Sequence, residues 1–81
     1  MVKIRLEISY LPGVEDPEAT TLHHNLGILG YYQVDSVSMI KVYEMEFAEE
    51  EEKAKTMASN IAESILINPV INSYKIIVLG E

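Results

Sequence analysis

Strict alternation over the first ten residues constrains this chain more than any other feature it carries. Val2, Ile4, Leu6, Ile8 and Tyr10 fall on one side of an extended backbone, and Lys3, Arg5, Glu7 and Ser9 fall on the other. Such a strand buries one face and leaves the other to water, the habit of antiparallel sheets. The buried face needs an apolar layer against it, so the remaining sequence must supply that layer.

Two helices are predicted. Leu11-Pro12-Gly13 breaks the strand, and Asp16-Pro17-Glu18 starts the first helix. Asp caps the free amides, Pro fits the first helical position, and Glu favours the positive helix end. Ala19, Leu22, Leu26 and Leu29 recur at helical spacing as one apolar stripe; Gly27 weakens the helix and Gly30 suits a left-handed cap. The second helix spans Glu49 to Leu66, with Ala54, Met57, Ala58, Ile61, Ala62 and Ile65 on its apolar stripe. Glu49 with Lys53, and Glu51 with Lys55, stand four apart, each pair worth about 0.2–0.5 kcal/mol. This helix must stop near Asn68, because the residue before Pro69 is pushed out of helical geometry.

Val34 to Phe47 reads as extended. Val37, Met39, Tyr43, Met45 and Phe47 share one parity with Lys41 interrupting, and no Asn-Gly or Asp-Gly signal decides between one strand and two. Ile71 to Leu79 is the last strand, with Tyr74, Ile76 and Val78 on one face and Lys75, Ile77 and Leu79 on the other. This order predicts an α+β fold over a single domain, residues 1–81: a split-βαβ, ferredoxin-like antiparallel sheet with two helices on one face.

A core of 81 residues is marginal alone, and the absence of cysteine closes off disulfides, thiolate metal sites and a Cys nucleophile. Self-association is the remaining remedy. Ile40, Val42, Ile77 and Leu79 form apolar surface that no third helix covers, so a dimer through a sheet face or sheet edge is expected.

Little in the chain points to chemistry. A net charge of −7 repels phosphate backbones and anionic lipid, which makes nucleic acid and membrane poor partners. Apolar stretches are interrupted by charge far short of a bilayer span, Met1 to Arg5 carries no cleavable signal pattern, and a cytoplasmic address is expected. His23 and His24 project about 100° apart on a helix and read as a surface or interface pair rather than metal ligands. Gly13, Gly27, Gly30 and Gly80 are scattered, with no Gly-Lys-Ser or Gly-Lys-Thr to cradle phosphate. The carboxylates of Glu49–Glu52 radiate around a helix start and do not converge as Ca²⁺ ligands would. No catalytic, cofactor-binding or metal-binding residue is therefore expected. Lys41, inside an apolar stretch, has two readings: a snorkelling side chain at a sheet edge, or a charge held at an interface for a partner's carboxylate or phosphate.

Three segments together resemble the PurS family, the small subunit of phosphoribosylformylglycinamidine synthase. Pro12-Gly13-Val14-Glu15-Asp16-Pro17-Glu18 is similar to that family's Gly-Val-x-Asp-Pro lead into its first helix. Val37-Ser38-Met39-Ile40-Lys41-Val42-Tyr43-Glu44-Met45 is similar to its central strand with an inset lysine, and Ile65 to Tyr74 to its Leu-x-Asn-x-Val-Ile-x-x-Tyr link. Ile40 and Ala19 stand where the family usually has glycine.

The resemblance implies a non-catalytic subunit of an ATP-dependent C–N ligase that takes its amide nitrogen from glutamine. A glutaminase subunit (PurQ) would release ammonia. A large synthetase subunit (PurL), using ATP and Mg²⁺, would activate the amide oxygen of formylglycinamide ribonucleotide, and ammonia would displace the phosphate to give the amidine. This chain would form a homodimer or tetramer, dock both partners and help shape the ammonia route. Motif match makes Lys41 and the segment holding Asn68, Pro69 and Tyr74 the expected interface positions, beside Ile40, Val42, Ile77 and Leu79. Two rivals share the element order: a free-standing ferredoxin-like dimer binding a small ligand such as an amino acid at its interface, and an enzyme using His23 or His24 as base.

Overall fold

β1, Val2–Tyr10, is the middle strand of a three-stranded antiparallel sheet ordered β2-β1-β3. The computed structural model describes residues 1–80. After β1 the chain forms α1 (Pro17–Ile28), β2 (Lys41–Phe47), α2 (Glu51–Ile61), a π-turn (Ala62–Leu66) and β3 (Asn72–Gly80). This is the expected α+β order with two helices and an antiparallel sheet.

The register converts alternation into two faces. Val2, Ile4, Leu6 and Ile8 stand opposite Phe47, Met45, Tyr43 and Lys41 of β2. On the other side Ile4, Leu6 and Ile8 oppose Val78, Ile76 and Tyr74 of β3. Directly opposed residues share a face, so these side chains make one largely apolar layer. α2 covers it through Ala54, Ala58 and Ala62, each fully buried and four residues apart. With nothing beyond Cβ along that row, the helix axis comes close to the sheet, and Ile61, Leu66 and Ile67 fill in around it. The hydroxyls of Ser59 and Tyr74, 2.7 Å apart, tie α2 to β3.

Several expectations are corrected here. Ile65, placed on the buried stripe by a 3.6-residue period, is 76% exposed. The cause is the π-turn: the Ile67 amide donates to the Ala62 carbonyl at 3.0 Å, five residues back, and the wider turn rotates Ile65 out and Leu66 in. Lys55 pairs with Glu52 at 3.5 Å rather than with Glu51, while Lys53 and Glu49 pair as expected at 4.0 Å. Of the extended stretch from Val34 to Phe47, only Lys41–Phe47 is a strand, and it is one strand, because its pairing with β1 ends at Ile8.

The ends of α1 are set by local chemistry. Leu11 to Val14 forms a turn, with the Val14 amide donating to the Leu11 carbonyl at 3.0 Å and Gly13 at a φ of 85° that side-chain-bearing residues avoid. Asp16 Oδ1 then accepts from the amides of Glu18 (3.0 Å) and Ala19 (3.2 Å), with Pro17 in the first turn. At the far end Gly30 takes a φ of 95°, its amide reaches the Gly27 carbonyl, and the Tyr31 amide reaches that of Leu26. This paired closure is the Schellman arrangement.

Within one copy, however, α1 does not lie on the sheet. Ala19 is its one buried residue. The radius of gyration, 16.1 Å, accordingly exceeds the ~12 Å of a closed domain of this length.

Candidate interaction surfaces

The sheet face turned away from α2 is a lattice of charge. By register Lys3 lies between Glu46 and Gly80, Arg5 between Glu44 and Ile77, and Glu7 between Val42 and Lys75. Opposite signs face each other across the strands, a favourable arrangement in an antiparallel pair. Lys3 Nζ reaches Glu44 at 3.9 Å and Arg5 Nε reaches Glu7 Oε2 at 3.2 Å. Partly exposed pairs of this kind add little stability. Val42 is exposed on this side and Ile77 is half-buried; Leu79, unpaired at the register shift of β3, and Ile40, just before β2, are exposed. None of the four is buried within one copy, yet the apolar patch is smaller than the sequence suggests, because charged side chains interrupt it.

The larger apolar exposure belongs to α1. Leu22 is 50% and Leu29 72% exposed, with Ile28, Tyr31 and Tyr32 exposed beside them. The reading of the sequence assigned the Leu22 and Leu29 stripe to the sheet and so missed it as free surface. Behind α1, His23 Nε2–H donates to the Val34 carbonyl at 2.8 Å and holds the following loop against the helix. His24 is exposed on the next position. Among the described residues no three His, Cys, Asp or Glu side chains come together as a metal site would require.

The link from α2 to β3 is built by amides. Asn68 Oδ1 accepts from the Val70 amide at 3.0 Å, and the Asn68 amide donates to Asn72 Oδ1 at 3.0 Å. The Ile71 and Asn72 amides return to the Asn68 carbonyl, and the Leu11 amide donates to the Ile71 carbonyl at 2.8 Å. Asn68 therefore organises the turn, leaving Pro69 and Val70 exposed at its tip. Tyr74 is half-buried with its hydroxyl committed to Ser59.

Lys41 stands on the α2 side of the sheet, opposite Ile8, beyond the stretch that the helix covers. Its side chain lines a cavity of about 230 Å³ together with Ile8, Tyr10, Met39, Leu66, Ile71 and Asn72. The structure thus brings Lys41 close to the Asn68-to-Tyr74 segment through Ile71 and Asn72. It places Val42 and Ile77 elsewhere, on the opposite face.

Comparison with known proteins follows the same outline. The family described as "PurS: Phosphoribosylformylglycinamidine (FGAM) synthase" matches residues 3–80. The curated phosphoribosylformylglycinamidine synthase subunit PurS of Archaeoglobus fulgidus is 36% identical over 66 residues, covering 80% of this chain and 82% of that one. Among solved structures, Methanocaldococcus jannaschii PurS, described as one of the subunits of formylglycinamide ribonucleotide amidotransferase in the purine biosynthetic pathway, superposes with a TM-score of 0.89 at 33% identity. It covers 100% of this chain and 99% of that one. A chain of the Thermotoga maritima PurLQS structure superposes at 0.81 with 26% identity, covering 96% of each. No helix among the described residues is long and apolar enough to cross a membrane.

Proposed function

The chain belongs to the PurS family of phosphoribosylformylglycinamidine synthase, and from that membership we infer that it serves purine biosynthesis as the scaffold subunit of that enzyme. Its partners are the PurL and PurQ subunits. The observation that carries this reading is the likeness to a chain of the PurLQS structure over 96% of both chains. The synthase is ATP-dependent. The nucleotide and Mg²⁺ belong to the synthetase subunit on this reading. A cytoplasmic address fits such a role.

The overall reaction joins formylglycinamide ribonucleotide, ATP, glutamine and water to give the amidine, ADP, phosphate and glutamate. Ammonia has to travel from the glutaminase to the synthetase without meeting bulk water, where it would be protonated and lost as a nucleophile. A scaffold contributes to that by shape and apolar surface, and this chain has those to offer: exposed Leu22, Ile28 and Leu29 on α1, and Val42 on the charged sheet face.

Self-association is part of the proposal. α1 has well-built ends but almost no cover, and an isolated helix of 12 residues is marginal in water. A second copy that covers α1 and the face bearing Val42 and Ile77 supplies what one copy lacks. The test is co-purification of tagged chain with PurL and PurQ in the presence of ADP, Mg²⁺ and glutamine. A ternary complex is expected; recovery of PurL and PurQ together without this chain would overturn the scaffold reading.

A further inference from the structure

The stretch leading into β2 is an extended edge without a partner in its own chain. From Val34 to Ile40 the backbone carries neither turn nor bend. Among the described residues, Asp35 to Met39 makes no backbone hydrogen bond. Pairing with β1 begins only where Lys41 stands opposite Ile8, and β2 is an edge strand of the sheet. Exposure nonetheless alternates as in a strand: Val37 and Met39 are half-buried, while Ser36, Ser38 and Ile40 are exposed. Such an edge offers its amides and carbonyls to another strand.

The charges at the two ends of this stretch are also unpaired. Lys3, Arg5, Lys53 and Lys55 each have a carboxylate within 4.0 Å, and Lys75 lies opposite Glu7. Among the described residues Lys41 reaches no carboxylate, although carboxylates outnumber cations thirteen to six, and Asp35 reaches no cation.

We propose that two copies of this chain pair along this edge as antiparallel strands, about a two-fold axis at Ser38. Asp35 then stands opposite the partner's Lys41, Val37 opposite the partner's Met39, and Ser38 opposite its own counterpart. Directly opposed residues share a face. Asp35, Val37, Met39 and Lys41 alternate onto one face, the α2 side on which Lys41 lies. The segment is therefore complementary to itself, with an anion at one end, a cation at the other and two apolar residues between them. That symmetry makes a second copy the occupant, in a contact that closes at two chains. Sliding the pairing by two residues would set Lys41 against Gln33 or Val37, so the charges also fix the register. A lysine on a free edge can instead repel strand pairing. Here a second copy brings Asp35 to meet it, which turns the guard into an attraction.

This inference rests on the self-association reading above, to which it adds an edge contact, and is independent of PurL and PurQ. Sedimentation equilibrium at low salt is run on wild type, Asp35→Lys, Lys41→Asp and an equimolar mixture of the two variants. Each variant alone sets like charges opposite each other at both ends of the pairing, and its association constant is expected to fall ~10–100-fold. In the mixture a heterodimer has opposite charges at both ends again, so most of the wild-type affinity should return. Both side chains are exposed, and circular dichroism checks that the fold survives. No recovery in the mixture, or wild-type association of either variant alone, would overturn the edge pairing and leave self-association to other surfaces. A wild-type chain that stays monomeric would overturn both.

The axis has its own test. The chain has no cysteine, so Ser38→Cys carries a single thiol. Two-fold pairing sets it opposite its counterpart at a Cα separation of about 4.5–5.5 Å, within the range a disulfide accepts. Ser36→Cys lies about 14 Å along the strand from its counterpart in the same register. Under mild oxidation Ser38→Cys is expected to give a disulfide-linked dimer rapidly and Ser36→Cys almost none. Equal yields, or no cross-link from Ser38→Cys, would overturn the proposed pairing.

Discussion

Glutamate in place of both Leu22 and Leu29 is expected to weaken self-association by about 10²–10⁴-fold. The two residues lie seven apart on α1, are 50% and 72% exposed, and find no cover in their own chain. Fully burying a leucine is worth about 1.5–3 kcal/mol. Two such side chains contribute about 3–6 kcal/mol, and each 1.4 kcal/mol is about a factor of ten in affinity. The substitutions leave the Asp16 cap untouched; Leu29 is the C-cap residue, whose part in the closure is made by its backbone, and a carboxylate there adds only a small unfavourable interaction with the helix end. Sedimentation equilibrium over a dilution series measures the effect, with circular dichroism to confirm that β1, β2 and β3 stay folded. An unchanged association constant would show that α1 is not the covered surface and would move self-association wholly to the sheet.

Leu6→Ala attacks the other end of the hierarchy. Leu6 is fully buried in the middle strand, packed near Ala62 and flanked by Tyr43 and Ile76. Truncating a leucine at such a site costs about 2–5 kcal/mol, the spread reflecting how far the surroundings collapse into the hole. The neighbouring helix offers alanine there, which has no side chain to swing inward, so the upper part of that range is expected. A small domain of marginal stability loses much of its folded population to such a change. Urea titration at fixed protein concentration gives the number, and a loss of unfolding free energy below about 1 kcal/mol would mean that the β1–α2 contact is not the centre of the core. Because self-association adds to apparent stability, the titration is repeated at two concentrations.

Much of the architecture was readable from local signals. The alternation of Val2 to Tyr10 marked a strand with one buried face, and Val2, Ile4, Leu6 and Ile8 of that face are core. Asp16-Pro17 and Gly30 marked the ends of α1 because capping is a matter of a few adjacent atoms. What escaped reading depends on relations between distant parts. The π-turn at Ala62–Leu66 redirects Ile65 by inserting one residue into a turn, and no periodic template anticipates it. The length of β2 depends on where β1 stops offering partners, at Ile8. The placement of α1 depends on contacts with distant parts of the chain, which no local spacing encodes.

The interaction surfaces were readable in the same uneven way. Val42 stands opposite Glu7, on the face turned away from α2, and is exposed as strand parity implies; Leu79, also exposed, falls at the register shift in β3, which parity does not anticipate. The charges that dilute the patch come from pairing: Glu44 and Glu46 meet Arg5 and Lys3 only after the register is set. Lys41 drew notice as a cation in apolar surroundings. Its cavity includes Leu66 and Ile71, which reach it from the far side of the α2–β3 link. No spacing in the sequence joins those positions.

The central claim is that this chain joins two catalysts without performing chemistry itself. The most direct measurement compares amidine formation from formylglycinamide ribonucleotide by PurL and PurQ, with and without this chain, using glutamine and then ammonium as nitrogen source. The account predicts that glutamine-driven turnover collapses when the chain is omitted, while turnover at saturating ammonium is retained by PurL. Equal glutamine-driven rates in its presence and absence would contradict it.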